Sequence, residues 1–230
     1  MESSSDLITQ FLCESEKKQM ELIPQFVSQG ESGLEVLMEF LLSSRSQPIS
    51  ISVGKAYQAL YQARTNKTKQ FLDNHFPQGV VPLRTERNID YQPLQQLLAQ
   101  QDFQGADVVT LHKLCELAGE AAIKRKWLYF SEVDNFPVTD LHTLDQLWRI
   151  HSEGKFGFSV QRKIWLSVGK DFSKLWSKIG WKTDNNWTRY PKEFIWDLNA
   201  PQGHLPLSNQ LRGVRVLASI FAHPAWSKEF

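Results

Sequence analysis

Arg212 and Arg215 stand three residues apart, a spacing that on a helix projects both guanidinium groups from one side, where they could clamp carboxylates. A solvated helix face would show the same spacing. Lys124, Arg125 and Lys126, placed directly before the aromatic run Trp127 to Phe130, form a second small basic cluster open to the same two readings. Glu132, Asp134 and Asp140 have the types of an acid/base pair, but they lie near expected helix starts, which favours capping and helix-dipole roles. Histidines at positions 75, 112, 142, 151, 204 and 223 share no metal-ligand spacing, and His151 falls on the apolar side of its segment as a structural histidine. Gly54-Lys55 and Gly169-Lys170 lack the rest of a phosphate-binding loop, and neither a zinc-protease helix nor a nucleophile elbow occurs. Cys13 and Cys115 make no CxxC pair and no zinc set, so a reducing, intracellular setting is expected. Residue chemistry alone therefore points to binding rather than to a conventional catalytic reaction.

The elements that must position these groups are helical. Leu141, Leu144, Leu147, Trp148 and His151 share one helix face, with Thr139 as expected cap and Gly154 as expected end. Phe156, Gly157 and Phe158 form an apolar turn, after which Ser159 is expected to cap a helix carrying Val160, Ile164, Trp165 and Val168. Asp90 suits a cap for Leu94, Leu97 and Leu98, and Gln101 to Gly105 suits a turn into a second helix through Ala121, an αα-hairpin. Phe172 to Gly180 and Gln210 to Phe221 supply two further helices. No sustained strand alternation occurs, so the expected class is all-α.

Composition divides the chain. All eight tryptophans lie beyond residue 126, and the first 80 residues carry seven basic and nine acidic side chains, net −2, against nineteen and sixteen, net +3, in the remainder. His75 to Arg87 combines two prolines and a glycine with loss of helical period, which places the boundary there. Residues 1–80 read as an amino-terminal helical bundle, with Leu34, Leu37, Met38, Leu41 and Leu42 on one helix and Tyr57, Leu60, Tyr61 and Arg64 on another. At 230 residues, 41% hydrophobic and 22% charged, the chain has the composition of a soluble globular protein, and a net charge of +1 gives no reason to expect nucleic acid. The start, MESSSDLITQFL, lacks the pattern of an export signal, and no apolar run approaches the roughly 18 residues of a membrane span.

One segment breaks the helical pattern. Trp181 to Leu207 is long for a connection, and Pro191, Pro201, Gly203 and Pro206 prevent a single helix. Trp187, Tyr190, Phe194, Ile195, Trp196 and Leu198 would nevertheless be costly to leave in water, at roughly 25 cal/mol per Å² of apolar area. The segment either packs on its own domain or closes over a flat hydrophobic ligand or a partner.

Three blocks, RNIDYQPLQQLLAQQDFQGAD, KWLYFSEVDNFPVTDLHTLDQLW and GKFGFSVQRKIW, in this order and spacing, resemble the Genomes Uncoupled Four family of tetrapyrrole-binding regulators of magnesium chelatase, cyanobacterial type. The match runs from about Arg87 to Trp226, and the preceding segment resembles the amino-terminal bundle of cyanobacterial members. The resemblance implies a tetrapyrrole-binding domain over 86–226 that is mainly helical with a long aromatic-rich loop. It implies binding of protoporphyrin IX and magnesium protoporphyrin IX in a hydrophobic palm, and stimulation of the chelatase through its H subunit in chlorophyll biosynthesis. On this reading the protein is not an enzyme and has no intrinsic cofactor. Phe103, Phe130, Tyr190, Phe194 and Trp196 would build the palm, where the family pattern has tryptophan near Tyr190. Arg212 and Arg215 would meet the propionates, and Asn209 would approach porphyrin-bound magnesium axially. Ser208 or Asn209 as a plain helix cap is the alternative at that position. The chain also lacks the long carboxy-terminal tail of plant and algal members, so regulation residing there should be absent. A cytoplasmic monomer is expected, with peripheral association at photosynthetic membranes left open. The competing functional reading is a helical protein-interaction scaffold without a tetrapyrrole ligand.

Overall fold

A computed structural model describes residues 4–184, 186–207 and 214–227, with side chains described from Ile8 onward. It is an all-α protein with one two-stranded ladder among the described residues. The chain divides into two compact units, Met1–Pro82 and Leu83–Phe230.

Five helices build the first unit: α1 (Ser4–Cys13), α2 (Glu16–Ser28), α3 (Glu31–Ser43), α4 (Ile51–Ala63) and α5 (Asn66–His75). Hydroxyl side chains set three starts, Ser15, Ser50 and Thr65 each accepting the N–H three residues on, at 3.3, 3.3 and 3.1 Å, which satisfies donors that helix geometry leaves orphaned. Phe11 lies edge-on to Phe26 and Phe40 with centroids 5.1 and 4.8 Å apart, and Ile23, Leu37, Leu41 and Leu60 complete the core. Gly33 permits the tight α2–α3 crossing, since a Cβ there would meet the Phe26 carbonyl oxygen at 1.9 Å. Arg64, expected within α4, instead ends it in the left-handed conformation at φ 52°.

The second unit opens with α6 (Gln92–Ala99) and α7 (Phe103–Ala118), the expected hairpin, joined through Asp102, whose carboxylate accepts the Gly105 N–H at 2.9 Å. Then come α8 (Glu120–Arg125), α9 (Phe130–Val133), α10 (Val138–His151), α11 (Phe158–Ser167) and α12 (Phe172–Lys178). A ladder of β1 (Lys182–Thr183) with β2 (Asn186–Trp187) precedes the proline-rich segment, and α13 (Arg215–Ala222) closes the unit with a 3-10 turn at Pro224–Trp226. Helix α10 is the centre: Leu141, Leu144, Leu147 and Trp148 are fully buried, and the Trp148 indole N–H donates to Thr110 at 2.9 Å. His151 is equally buried, and burial pushes its pKa down to about 3, in keeping with a structural role.

Two expected caps are corrected by tertiary structure. Thr139 lies inside α10, where its hydroxyl donates to Glu86 at 2.5 Å, while Pro137 precedes the helix with its φ already near the helical value. Ser159 lies inside α11, and the cap comes from the neighbouring helix: the buried Asp145 carboxylate of α10 accepts the Ser159 N–H at 2.8 Å. Gly157 sits before it at φ 135°, and a Cβ there would meet Asp145 Oδ1 at 2.8 Å. Asp140 likewise serves another segment, accepting the Glu86 N–H at 2.9 Å and the Tyr91 hydroxyl at 2.8 Å.

Candidate tetrapyrrole site

The long segment from Trp181 to Leu207 is anchored at its base by buried hydrogen bonds. Gln161 donates to the carbonyls of Gly203 and Pro206 at 2.9 and 2.8 Å, and the Gly157 N–H to that of Leu205 at 3.0 Å. Trp181 is stacked on Trp176, rings 6° from parallel with centroids 5.2 Å apart, and donates to the His204 carbonyl at 2.7 Å. His204 is the hub. Its Nδ1 lies 2.6 Å from the Ile179 carbonyl and its Nε2 3.2 Å from the Ile195 N–H, while its ring lies 4.9 Å from that of Phe194. A carbonyl only accepts and an N–H only donates, so Nδ1 carries the proton and Nε2 is bare. The neutral ring is also what burial favours, and it holds the His204 pKa below the ordinary value against the opposing Ile179 bond.

This base supports an aromatic shelf. Tyr190 is edge-on to Phe194 and Trp196 at 5.9 and 5.8 Å, and Phe194 and Trp196 are stacked at 5.7 Å. The Trp196 indole is fixed by a 3.0 Å bond to the Pro191 carbonyl. Phe194 is buried at 5% exposure, whereas Tyr190 at 41% and Ile195 at 42% offer apolar area to solvent. Asp107 of α7 is close enough to Tyr190 to act on it electrostatically; it is 4% exposed and accepts the Leu207 N–H at 2.6 Å. Burial pushes its pKa up to about 7 against that bond, and its charge adds to burial in raising the Tyr190 phenol.

A second exposed aromatic comes from α9. Phe130 is 41% exposed, and the guanidinium of Arg215, the first residue of α13, stands 5.3 Å from its ring centroid as α9 packs on α13. Phe103 is placed differently: at 1% exposure it belongs to the core, 6.1 Å from Trp148 and 5.4 Å from Phe156. Thus the structure brings Tyr190, Phe194 and Trp196 into one cluster and Phe130 and Arg215 into another, with Phe103 one helical turn before Asp107. Asn209 and Arg212 lie outside the described residues, as do the first four positions of the helix expected from Gln210.

Arg125 is not a spare cation, since it is paired with Glu132 at 2.8 Å, and the same carboxylate accepts the Tyr129 N–H at 2.8 Å as a cap. His204, Asp107 and Arg125 all bear on the site; the sequence pattern marked Arg125 as one of a basic cluster open to either a clamping role or a solvated face, and singled out neither His204 nor Asp107. Their partners are a backbone amide, an aromatic ring or a carboxylate that only the fold brings close.

Exposed ring faces beside a guanidinium suit a flat, apolar, anionic molecule. No group of three or more His, Cys, Asp or Glu among the described residues could hold a metal ion, and no described helix is long and apolar enough to cross a membrane.

Comparison with known proteins agrees with this picture. The GUN4-like family model matches residues 84–224, and a model described as an ARM-like repeat domain, GUN4-N terminal, matches residues 1–77. A Ycf53-like protein from Synechocystis is 52% identical over 216 residues, 93% of this chain and 92% of its own. The chloroplastic tetrapyrrole-binding protein of Arabidopsis thaliana is 44% identical over 143 residues, 58% of this chain and 54% of its own. The structure of GUN4 from Chlamydomonas reinhardtii superposes with a TM-score of 0.61 at 43% identity, covering 64% of this chain and 95% of that one. Matches along both units, at this identity, establish that the chain belongs to the GUN4 family.

Proposed function

We propose that this protein binds protoporphyrin IX and magnesium protoporphyrin IX through residues 86–226 and, without catalysing a reaction, stimulates magnesium chelatase in chlorophyll biosynthesis by acting on its H subunit. The observation that carries the reading is the cluster of Tyr190, Phe194 and Trp196, in which Phe194 packs on His204 while Tyr190 stays exposed to solvent. A porphyrin is a rigid apolar disc with two propionates on one edge, so it needs flat walls and a few cations. Phe130 and Arg215 supply a further ring and a cation, and Arg212 is the second propionate partner. The Arabidopsis relative is named for tetrapyrrole binding, which supports the same ligand class.

At about −0.3 kcal/mol per atom over roughly forty atoms, the affinity ceiling is near −12 kcal/mol, and the ordering that binding requires brings it toward −8, about micromolar, loose enough for delivery. Magnesium takes hard oxygen ligands, which suits the Asn209 amide as the axial contact. Titration of both porphyrins against tryptophan emission tests the reading. Saturable quenching is expected, weakened by Arg212→Ala with Arg215→Ala, and Asn209→Ala should weaken the magnesium form selectively. The ARM-like match over residues 1–77 favours a second reading, a helical protein-interaction scaffold without a tetrapyrrole ligand, which absence of quenching would leave standing. Chelatase turnover with and without the protein tests the regulatory step.

A further inference from the structure

The four-residue helix α9 cannot hold itself, because helix nucleation fixes several dihedrals before any hydrogen bond is gained. It nevertheless presents Phe130 at the surface opposite Arg215. One side chain meets three residues of this segment, Trp127, Tyr129 and Glu132. Arg125, at the end of α8, donates from Nη2 to both Glu132 carboxylate oxygens at 2.8 Å and to the Trp127 carbonyl at 3.2 Å. Its guanidinium carbon lies 4.9 and 4.4 Å from the centroids of Trp127 and Tyr129, whose own rings meet edge-on at 4.4 Å. Glu132, drawn in by that cation, caps the Tyr129 N–H, so the same carboxylate closes the first turn of α9. Both partners are about three-quarters shielded, with side-chain exposures of 23% and 22%. Lys124 does not share the task, for its partner is Glu120 at 4.0 Å on the exposed side of α8.

We infer that Arg125 is a positioning residue for the site: through Glu132 and the Trp127–Tyr129 ring pair it sets the entry and first turn of α9, and so fixes the Phe130 ring where a flat ligand meets it. This rests on the tetrapyrrole reading and assigns one wall of that site its support. The guanidinium does not itself reach the ligand; it removes the ordering that Phe130 would otherwise undergo on binding. Lysine is a poor replacement: its ammonium could meet both Glu132 oxygens as Nη2 does, but it has no planar face to lay against the Trp127 and Tyr129 rings.

The test is a double-mutant cycle in full-length protein, with protoporphyrin IX as the probe and affinity as the readout. Arg125→Ala should weaken binding about tenfold, since ordering a released aromatic side chain and its short helix costs roughly a factor of that size. Arg125→Lys should recover little of this. Glu132→Gln, which keeps the volume and an acceptor for the Tyr129 N–H, should give a smaller loss of the same sign. In a Phe130→Ala background, or Phe130→Leu if the alanine variant binds too weakly to titrate, Arg125→Ala should cost nothing further. Unchanged affinity for Arg125→Ala overturns the inference. A loss that persists in full without Phe130 does so too, because it marks general support of the fold. If Arg125→Ala does not fold, Arg125→Lys and Glu132→Gln carry the same cycle. A parent protein that fails to bind at all would instead sink the tetrapyrrole reading, and the inference with it.

Discussion

The two units use the same kinds of side chain to opposite ends. In the first, aromatic rings turn inward, Phe11 on Phe26 and Phe40, and Leu12 and Val27 are its exposed large hydrophobics among the described residues. In the second, ten large hydrophobics are exposed among the described residues, including Tyr129, Phe130, Trp187, Tyr190 and Ile195. Buried polar side chains such as Gln161, His204 and Asp145 hold its proline-rich segment and the start of α11, where the first unit closes three helix starts with local hydroxyl caps. The difference teaches that exposed apolar surface, among the described residues, is concentrated in the second unit, beside a segment anchored by buried hydrogen bonds.

The largest test of that contrast is to separate the units. A fragment of residues 83–230 should bind porphyrin within a few-fold of the whole chain, and residues 1–82 should not bind at all. Porphyrin binding by the first unit, or its loss from a folded second unit, breaks the comparison. Next in size is His204→Ala, which removes two hydrogen bonds and a ring contact beneath the shelf. A loss of about 3 kcal/mol in urea unfolding is expected, with weaker porphyrin binding; stability equal to the parent would show that the shelf does not depend on this hub.

Asp107 sharpens the contrast through pH. Its folded pKa of about 7 lies above the ordinary value of 3.8, so the buried carboxylate lowers stability above pH 7, and the penalty fades as pH falls from about 7 toward 4. Asp107→Asn should therefore exceed the parent by a few kcal/mol at pH 8 and match it at pH 4, read by urea unfolding at each pH. An advantage that does not change with pH would remove ionisation as its source. The smallest expected effect is Arg215→Ala, about 1 kcal/mol in porphyrin affinity, since an exposed cation is screened by water. Titration of the single variant measures it, and a far larger loss would mean that the ligand buries this guanidinium.

Helix periodicity was legible because it is local: the face of Leu141, Leu144, Leu147, Trp148 and His151 is the buried face of α10. Caps were less legible. Thr139 and Ser159 have the right types at plausible positions, yet Thr139 lies inside a helix that Pro137 precedes without a side-chain cap, and the Ser159 N–H is met by Asp145 from another helix. The aromatic richness of the segment from Trp181 to Leu207 left packing and binding both open, and the structure gathers Tyr190, Phe194 and Trp196 into one cluster. Phe103 could not be separated from core by pattern, since a buried wall and a buried filler look alike in sequence. His204 was one histidine among six, because its partners Ile179 and Ile195 are a backbone carbonyl and a backbone amide, groups every residue carries.

The borrowed cap of α11 has a consequence for how the second unit opens. Gly157 brings no side chain to the start of α11, and the acceptor for Ser159 belongs to α10. Loosening α10 at Asp145 thus removes the first-turn support of α11, while α11 cannot leave without stranding a buried carboxylate. The two helices should therefore open as one cooperative unit in hydrogen exchange, with the Ser159 amide exchanging at the rate of the α10 interior rather than at that of an ordinary fraying helix end.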